Sequence, residues 1–251
     1  MWNATLYDKM RKERLQPSLD LVGRIAGRQF NRIIDIGCGT GLSTAPLQKN
    51  WPDSEIIGVD LSNEMLEKAR LQLETVTWLK RDCSQPLDDL GTFDLVFSNA
   101  FLQWLKNQEA FLENAHPLLN ENGILAVQLP DFQNMAASDC INAVSAKYDS
   151  LFAEMDLYHN FPIESYYDIL KKTYSHAEVW RTSYYHVLTD HKAILEFIKG
   201  TALRPFLARL TPDVENRFLD QILESLRDTY PVHPDGNVLF EFKRMFLLAQ
   251  K

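Results

Sequence analysis

Two acidic residues set around a run of alternate glycines carry the most legible chemistry in this chain. In Arg32-Ile-Ile-Asp35-Ile-Gly37-Cys38-Gly39-Thr-Gly41-Leu-Ser-Thr44 the β-branched run reads as a strand, the glycines as a tight turn and Ser43-Thr44 as the opening of a helix. Glycines so spaced let the backbone bend and approach a ligand with no Cβ in the way, and a helix start offers free amide donors. A dinucleotide fingerprint needs its third glycine one position later, where this chain has Leu42, and a phosphate-cradling loop needs a Gly-Lys-Ser/Thr ending that is absent. Asp35, at the strand end, would repel a pyrophosphate but attract a ligand with an ammonium and a sulfonium. Glu55-Ile-Ile-Gly-Val-Asp60 reads as a second strand ending in an acid, placed to hold both hydroxyls of a ribose. That combination describes S-adenosylmethionine.

The elements that must position these residues follow from periodicity. Strand signals at 33–36, 55–60, 76–80, 93–97 and 124–129 alternate with helical ones, which predicts a parallel sheet covered by helices on both faces. Its ligand crevice lies beyond the carboxyl ends of the strands, where the Gly37 turn, Asp60, Asp82 and Asn99 converge. Ser62 is placed to cap the helix carrying Met65, Leu66 and Ala69. Asp82, in the turn after the third strand, either accepts the amino group of adenine or simply shapes the turn. Ahead of the sheet, residues 6–25 read as two short helices split by Pro17, with Tyr7 and Arg14 on one face. These two are either ligand contacts or an ordinary packing Tyr and solvated Arg.

A helix over 111–119 is stopped by Asn120-Glu-Asn-Gly123. Beyond Pro130 the pattern is helical over 135–155, broken at Phe161-Pro162 and helical again over 164–174. A long strand follows at 177–188, then helices at 191–199 and 212–230, and a last strand at 238–249. The layout expected is a single domain over 1–251, with an N-terminal helical cover at 1–27, a cofactor core at 32–130 and a helical cap at 131–176 and 189–237.

Composition narrows the function. In 251 residues with 45% hydrophobic content there is material for a substantial core, and a formal net charge of −8 without a basic stripe speaks against nucleic-acid binding. The three cysteines lack disulfide or metal-ligand spacing, so no metal is expected and a reducing, cytoplasmic setting is. No apolar run reaches the roughly 18 residues of a membrane span. A monomer is expected.

Asp35-Ile-Gly-Cys-Gly-Thr-Gly and Asp60-Leu-Ser-Asn-Glu-Met65 resemble the first two motifs of the class I S-adenosylmethionine-dependent methyltransferases. The resemblance implies an α/β, Rossmann-like fold with a seven-stranded, mostly parallel sheet, its last strand antiparallel, and helical cap insertions. It implies a cofactor site built from Asp35, Gly37, Cys38, Gly39, Asp60, Leu61, Met65, Asp82, Cys83 and Asn99. Enzymes of this superfamily that methylate nitrogen often carry Asn/Asp-Pro-Pro-Tyr after the fourth strand. This chain has Ser98-Asn99-Ala100-Phe101 there, which favours an oxygen acceptor. Trp104 either walls the acceptor site or packs on a helix.

Over nearly its whole length the chain resembles the bacterial trans-aconitate 2-methyltransferases. The resemblance is carried by Leu6-Tyr7, Glu13-Arg14, Ser98-Asn-Ala with Leu102-Gln-Trp-Leu105, Val127-Gln-Leu-Pro-Asp131, Tyr166-Tyr-Asp-Ile-Leu170, Trp180-Arg-Thr-Ser-Tyr-Tyr-His186, Leu203-Arg-Pro-Phe-Leu207 and Arg244-Met-Phe-Leu. Thr40 departs from the usual Pro, and 132–161 aligns only loosely. Arginine forks match carboxylates and stay charged at any working pH. An anionic acceptor is therefore expected to meet Tyr7, Arg14, Trp104, Tyr184, Tyr185, Arg204 and Arg244, with Arg181 a further candidate. The implied reaction is methyl transfer to a carboxylate of a small di- or tricarboxylic acid, leaving S-adenosylhomocysteine. Such an acid is already ionised at neutral pH, so a positioning mechanism with no catalytic side chain is expected. Two rival readings are a methyltransferase for a carrier-bound malonyl group and a non-catalytic S-adenosylmethionine-binding regulator.

Overall fold

The Ile-rich segment Arg32–Ile36 (β1) pairs in parallel with Glu55–Asp60 (β2) on one side and Phe93–Asn99 (β4) on the other, because both of its faces are apolar and both must be covered. The computed structural model describes residues 4–152, 155 and 160–251, with side chains described from residue 15 onward except at 149. Around β1 the chain lays down helix Ala4–Ile25 (α1), then Thr44–Asn50 (α2), Asn63–Gln72 (α3) and Thr77–Lys80 (β3). Gln108–Ala115 (α4), Leu119–Pro130 (β5), Ala136–Ser145 (α5), Asp149–Phe152 (α6) and Ile163–Thr173 (α7) follow. The remaining elements are His176–Leu188 (β6), His191–Lys199 (α8), Arg204–Leu207 (α9), Pro212–Thr229 (α10) and Val238–Gln250 (β7). The sheet has seven strands in the order β3-β2-β1-β4-β5-β7-β6, with β7 antiparallel to β5.

The chain divides into two compact units where a single domain was expected. The first comprises residues 1–130, 161–181 and 244–251, the second 131–160 and 182–243. In the first, Ile34, Ile36, Val96, Leu125, Val127, Met245 and Leu247 form one buried face of the sheet. Helices α4 and α7 close that face through Phe111, Leu112, Tyr166 and Leu170. The segment 161–176 was expected in the cap, but α7 belongs with the sheet. Its apolar stripe is buried there, the Tyr166 hydroxyl donates to Gln108 Oε1, and the Tyr174 hydroxyl donates to the Leu112 carbonyl at 2.7 Å. In the second unit α10 packs between α5 and α8, and Phe197, Phe240 and Phe242 cluster around His186.

Two local expectations are corrected. Pro17 does not split the N-terminal segment, because α1 is one helix with Pro17 inside it. An interior proline costs roughly 3 kcal/mol, offset here by full burial of Ser18, Leu21 and Ile25 and near-full burial of Val22. The Ser18 hydroxyl also donates to the Ser43 carbonyl at 3.4 Å. Further on, α4 ends at Ala115 and β5 begins at Leu119, so Asn120–Gly123, read as a helix stop, lies inside a strand. Phe93 pairs with Leu119 and a register shift separates that pair from Leu95 with Ile124. The bulge absorbs the polar stretch, with Asn122 at φ 63°.

Candidate active site

The turn after β1 is drawn tight by its own backbone. Gly37, Gly39 and Gly41 take φ of 75°, 54° and 78°, a region that L side chains enter only with strain. A Cβ on Gly37 would lie 2.2 Å from Phe101 Cγ, whereas one on Gly39 would meet nothing within 4 Å. Gly37 is thus required by packing, while Gly39 borders open space from which a ligand can approach. Several amides of the turn are engaged within the protein. Gly37 and Cys38 donate to the Val59 carbonyl at 2.9 and 3.1 Å, and Ala45 donates to the Gly41 carbonyl at 3.1 Å. Gly39 donates to Asp60 Oδ2 at 2.9 Å. The amides of Gly37, Cys38 and Gly39 are thus not available to phosphate, which adds a second ground to the argument against a pyrophosphate seated on these glycines.

Asp35 is wholly buried at the end of β1. Its Oδ2 accepts from the Thr44 hydroxyl at 2.6 Å, and its Oδ1 has no partner among the described residues. Burial pushes the carboxyl up to about 7, the Thr44 bond pulls against that rise, and neighbouring Asp60 adds to it. A buried carboxylate with one oxygen unmatched is the kind of group that a ligand cation satisfies. Asp60 holds two turns at once, since its Oδ1 also accepts the Ser62 amide at 2.8 Å. Each oxygen keeps a second lone pair for a ligand hydroxyl. The Ser62 hydroxyl in turn caps α3 by accepting the Met65 amide at 3.3 Å.

At the end of β3 the turn reading of Asp82 is realised. Its Oδ1 accepts the Ser84 hydroxyl at 2.7 Å and the Ser84 amide at 3.0 Å, bonds that hold the carboxyl below its usual range. Asp82 is exposed and retains its other oxygen for a ligand. Leu61 stands 62% exposed beside Asp60, an apolar contact open to a base ring. Both thiols of this region are buried. Burial pushes Cys83 up to about 12, and burial, with Asp35 and Asp60 adding to it, raises Cys38 too. Neither is a thiolate at neutral pH, so neither is a nucleophile.

One face of the sheet carries a row of polar groups. Residues in register across neighbouring strands share a face, and side chains alternate along each strand. Asp35 is level with Phe97, Asn99 with Gln128, and Pro130 with Arg244. The row therefore runs Asp35, Asn99, Gln128, Arg244 on the side opposite the apolar core of α4 and α7. It crosses about 14 Å at the usual strand spacing. Asp35 and Gln128 are fully buried and Arg244 is 7% exposed. Asn99 Oδ1 and both amide atoms of Gln128 are buried without a hydrogen-bond partner among the described residues. Just past Asn99, Ala100 takes φ 54° and is held there on several sides. Its amide donates to the Gln128 carbonyl at 2.8 Å, while Gln103 Nε2 and Trp104 Nε1 donate to its carbonyl at 2.7 and 3.2 Å.

Residues 34–127 match the model of a methyltransferase domain. The trans-aconitate 2-methyltransferase of Enterobacter sp. (strain 638) is 36% identical over 250 residues, covering 100% of this chain and 98% of that protein. That of Escherichia coli K12 (DH10B) is 34% identical over 252 residues, with the same coverage. This chain belongs to that family of methyltransferases. Among solved structures the fold is shared with the YcgJ protein of Bacillus subtilis, at 16% identity, TM-score 0.61 and coverage of 94% of this chain and 98% of that one. It is also shared with Haemonchus contortus phosphoethanolamine N-methyltransferase 2, solved with S-adenosylhomocysteine, at 20% identity, TM-score 0.58 and coverage of 94% and 53%.

The methyltransferase uses S-adenosylmethionine, and the residues present fit it. Asp35 Oδ1 is a buried acceptor for an ammonium, and the space above Gly39 admits a ligand to the backbone. The expected acceptor residues are less well gathered. Trp104 is 49% exposed in the turn after β4. Arg244 lies in the polar row. Arg181 is exposed on β6. Tyr184 and Tyr185 are consecutive on that strand and face opposite sides, so they cannot act as a pair on one ligand. Tyr185 is 61% exposed and its hydroxyl donates to Glu241 at 3.1 Å, beside a carboxylate that an anionic acceptor would avoid. Arg204 opens α9 and is exposed. Tyr7 and Arg14 fall on α1, but their side chains lie outside the described residues.

Sequence reasoning passed over three side chains. Thr44 pins Asp35, Gln103 holds the Ala100 turn, and Gln128 stands in the row. For Gln128 the signal was available, since a lone amide in the otherwise apolar Ile124-Leu-Ala-Val-Gln-Leu129 of a central strand is out of place without a role.

Proposed function

We propose that this enzyme methylates one carboxylate of trans-aconitate or a closely similar small polycarboxylic acid, forming a monomethyl ester. The observation that carries the reading is the likeness to trans-aconitate 2-methyltransferases at 36% identity over 100% of the chain. In it, Asp35 holds the cofactor's ammonium, Asp60 its ribose, and Leu61, Met65, Asp82 and Cys83 its adenine, with Gly37, Cys38 and Gly39 forming the turn beneath. Bound there, S-adenosylmethionine supplies an electrophilic methyl group on a sulfonium. Asn99 and Trp104 border the point of transfer, and Arg244 and Arg204 hold carboxylates of the acceptor that do not react. A carboxylic acid with a pKa near 4 is already a nucleophile at neutral pH, so these side chains orient it and exclude water rather than take a proton. The buried thiols of Cys38 and Cys83, held protonated, are consistent with a site that has no covalent step. The three free cysteines support a reducing cytoplasmic setting, and we take the enzyme to act as a monomer on a small acid.

Labelled S-adenosylmethionine incubated with trans-aconitate, cis-aconitate, citrate and a malonyl-loaded carrier protein, with counting of base-labile ester, tests the reading. Preference for trans-aconitate is expected. Transfer only to the carrier, or to none of the four, would sink it.

A further inference from the structure

We infer that Gln128 is an acceptor-binding residue of this enzyme, its side-chain amide donating to a carboxylate of the substrate beside Arg244. The inference rests on the carboxylate-acceptor reading above. Gln128 sits on β5 between β4 and β7, fully buried, and neither its Oε1 nor its Nε2 has a hydrogen-bond partner among the described residues. Burying an unsatisfied amide group is destabilising. An apolar residue of the same size would avoid that penalty in the stretch 124–130 of β5, whose other members are apolar. Either orientation of the amide leaves one donor and one acceptor to offer, so the conclusion does not depend on which way it is turned.

The position of Gln128 selects its ligand. Along the row, β1 carries Asp35 next to the glycine turn, and Asp60 stands on β2 beyond it, so the cofactor residues lie on the β1 and β2 side. Gln128 lies the other way, past Asn99 on β4, and two register positions short of Arg244 on β7. The unsatisfied atoms near the cofactor end, Asp35 Oδ1 and Asn99 Oδ1, are acceptors and suit a cation. At the far end an amide N–H and a buried guanidinium stand on neighbouring strands, a donor set for a carboxylate. Gln128 is thus placed to orient a spectator carboxylate while the reacting one faces β4, and its reach sets which acids fit.

The test is calorimetric titration of trans-aconitate into the enzyme saturated with S-adenosylhomocysteine, for wild type, Gln128→Leu and Gln128→Met. Both variants are expected to bind S-adenosylhomocysteine as wild type does and to lose roughly 10- to 100-fold in affinity for the acid. A merely structural amide predicts unchanged affinity for the acid, and that result overturns the assignment, as does a loss confined to S-adenosylhomocysteine. Wild type that binds S-adenosylhomocysteine but none of the small acids overturns the carboxylate-acceptor reading itself, a different failure from wild-type binding matched by the variants. A crystal structure of the wild-type ternary complex needs no variant. Gln128 Nε2 within hydrogen-bond reach of the acid supports the inference, and an amide facing only water or the cofactor ends it.

Discussion

The amide of Gly39 donates to Oδ2 of Asp60 across 2.9 Å, so the cofactor turn of β1 is fastened to the acid that ends β2. The other oxygen of Asp60 holds the Ser62 amide at 2.8 Å. One carboxylate therefore shapes the glycine turn and the start of α3 while keeping lone pairs for a ribose.

Asp60→Ala is expected to weaken S-adenosylhomocysteine binding by roughly 10- to 100-fold, the effect of losing hydrogen bonds to a charged group. Asp60→Asn, which keeps one acceptor, should fall between. Equilibrium titration reads both, and a dissociation constant equal to wild type in the Ala variant would remove Asp60 from the cofactor site.

Asp35 makes both stability and binding depend on pH. Its carboxyl titrates near 7 when folded against 3.8 as the ordinary value, so between those values the folded chain holds a proton that the unfolded chain has released. Stability of the ligand-free enzyme therefore falls as pH rises through that window and levels off above about 7. Asp35→Asn should abolish that part of the slope in thermal melts taken from pH 5 to 8. Cofactor binding runs the other way. An ammonium pairs with the ionised carboxylate, so affinity should rise toward pH 7 and decline again above about 8, where an α-amino group loses its own proton. A flat binding profile would detach Asp35 from the ammonium.

Two glycines of the turn should fail in different ways. Gly37→Ala drives a methyl group to within 2.2 Å of Phe101 Cγ at φ 75°, so it should lower the melting temperature by several degrees. Gly39→Ala meets no protein atom within 4 Å. It should cost only the left-handed strain of about 1 kcal/mol and act mainly on cofactor affinity. Melting curves and dissociation constants measured side by side distinguish the two. Equal losses of stability would contradict the account of Gly37.

Arg204→Ala should raise the acceptor KM at least tenfold and leave the S-adenosylhomocysteine dissociation constant unchanged, because an exposed cation at the head of α9 bears no packing load. The guanidinium's double donor fork matters as well as its charge, so Arg204→Lys should recover only part of the loss. Acceptor kinetics equal to wild type would remove Arg204 from substrate binding.

Much of the fold was legible in the residues alone. The period-2 and continuous apolar runs of β1, β2 and β4, the spacing of Gly37, Gly39 and Gly41, and the acids Asp35 and Asp60 are local signals. Local backbone preferences and burial on both faces are enough to produce them. The same locality explains the errors. Pro17 reads as a break because its cost is local, whereas the burial of Leu21, Val22 and Ile25 that offsets it is not. Helix α7 looks like part of a cap until its Tyr166 and Leu170 are seen buried on the sheet. Tyr184 and Tyr185, each expected to meet the acceptor, are turned by the strand to opposite sides. Local patterns in the chain were enough for the class of sheet and the chemistry of the cofactor. Tertiary contacts were needed to engage the amides of Gly37, Cys38 and Gly39, to bring Thr44 onto Asp35, and to leave Gln128 buried and unsatisfied in register with Asn99. Those relations join residues far apart in the chain, and strand register, which no local propensity encodes, is what brings them onto one face.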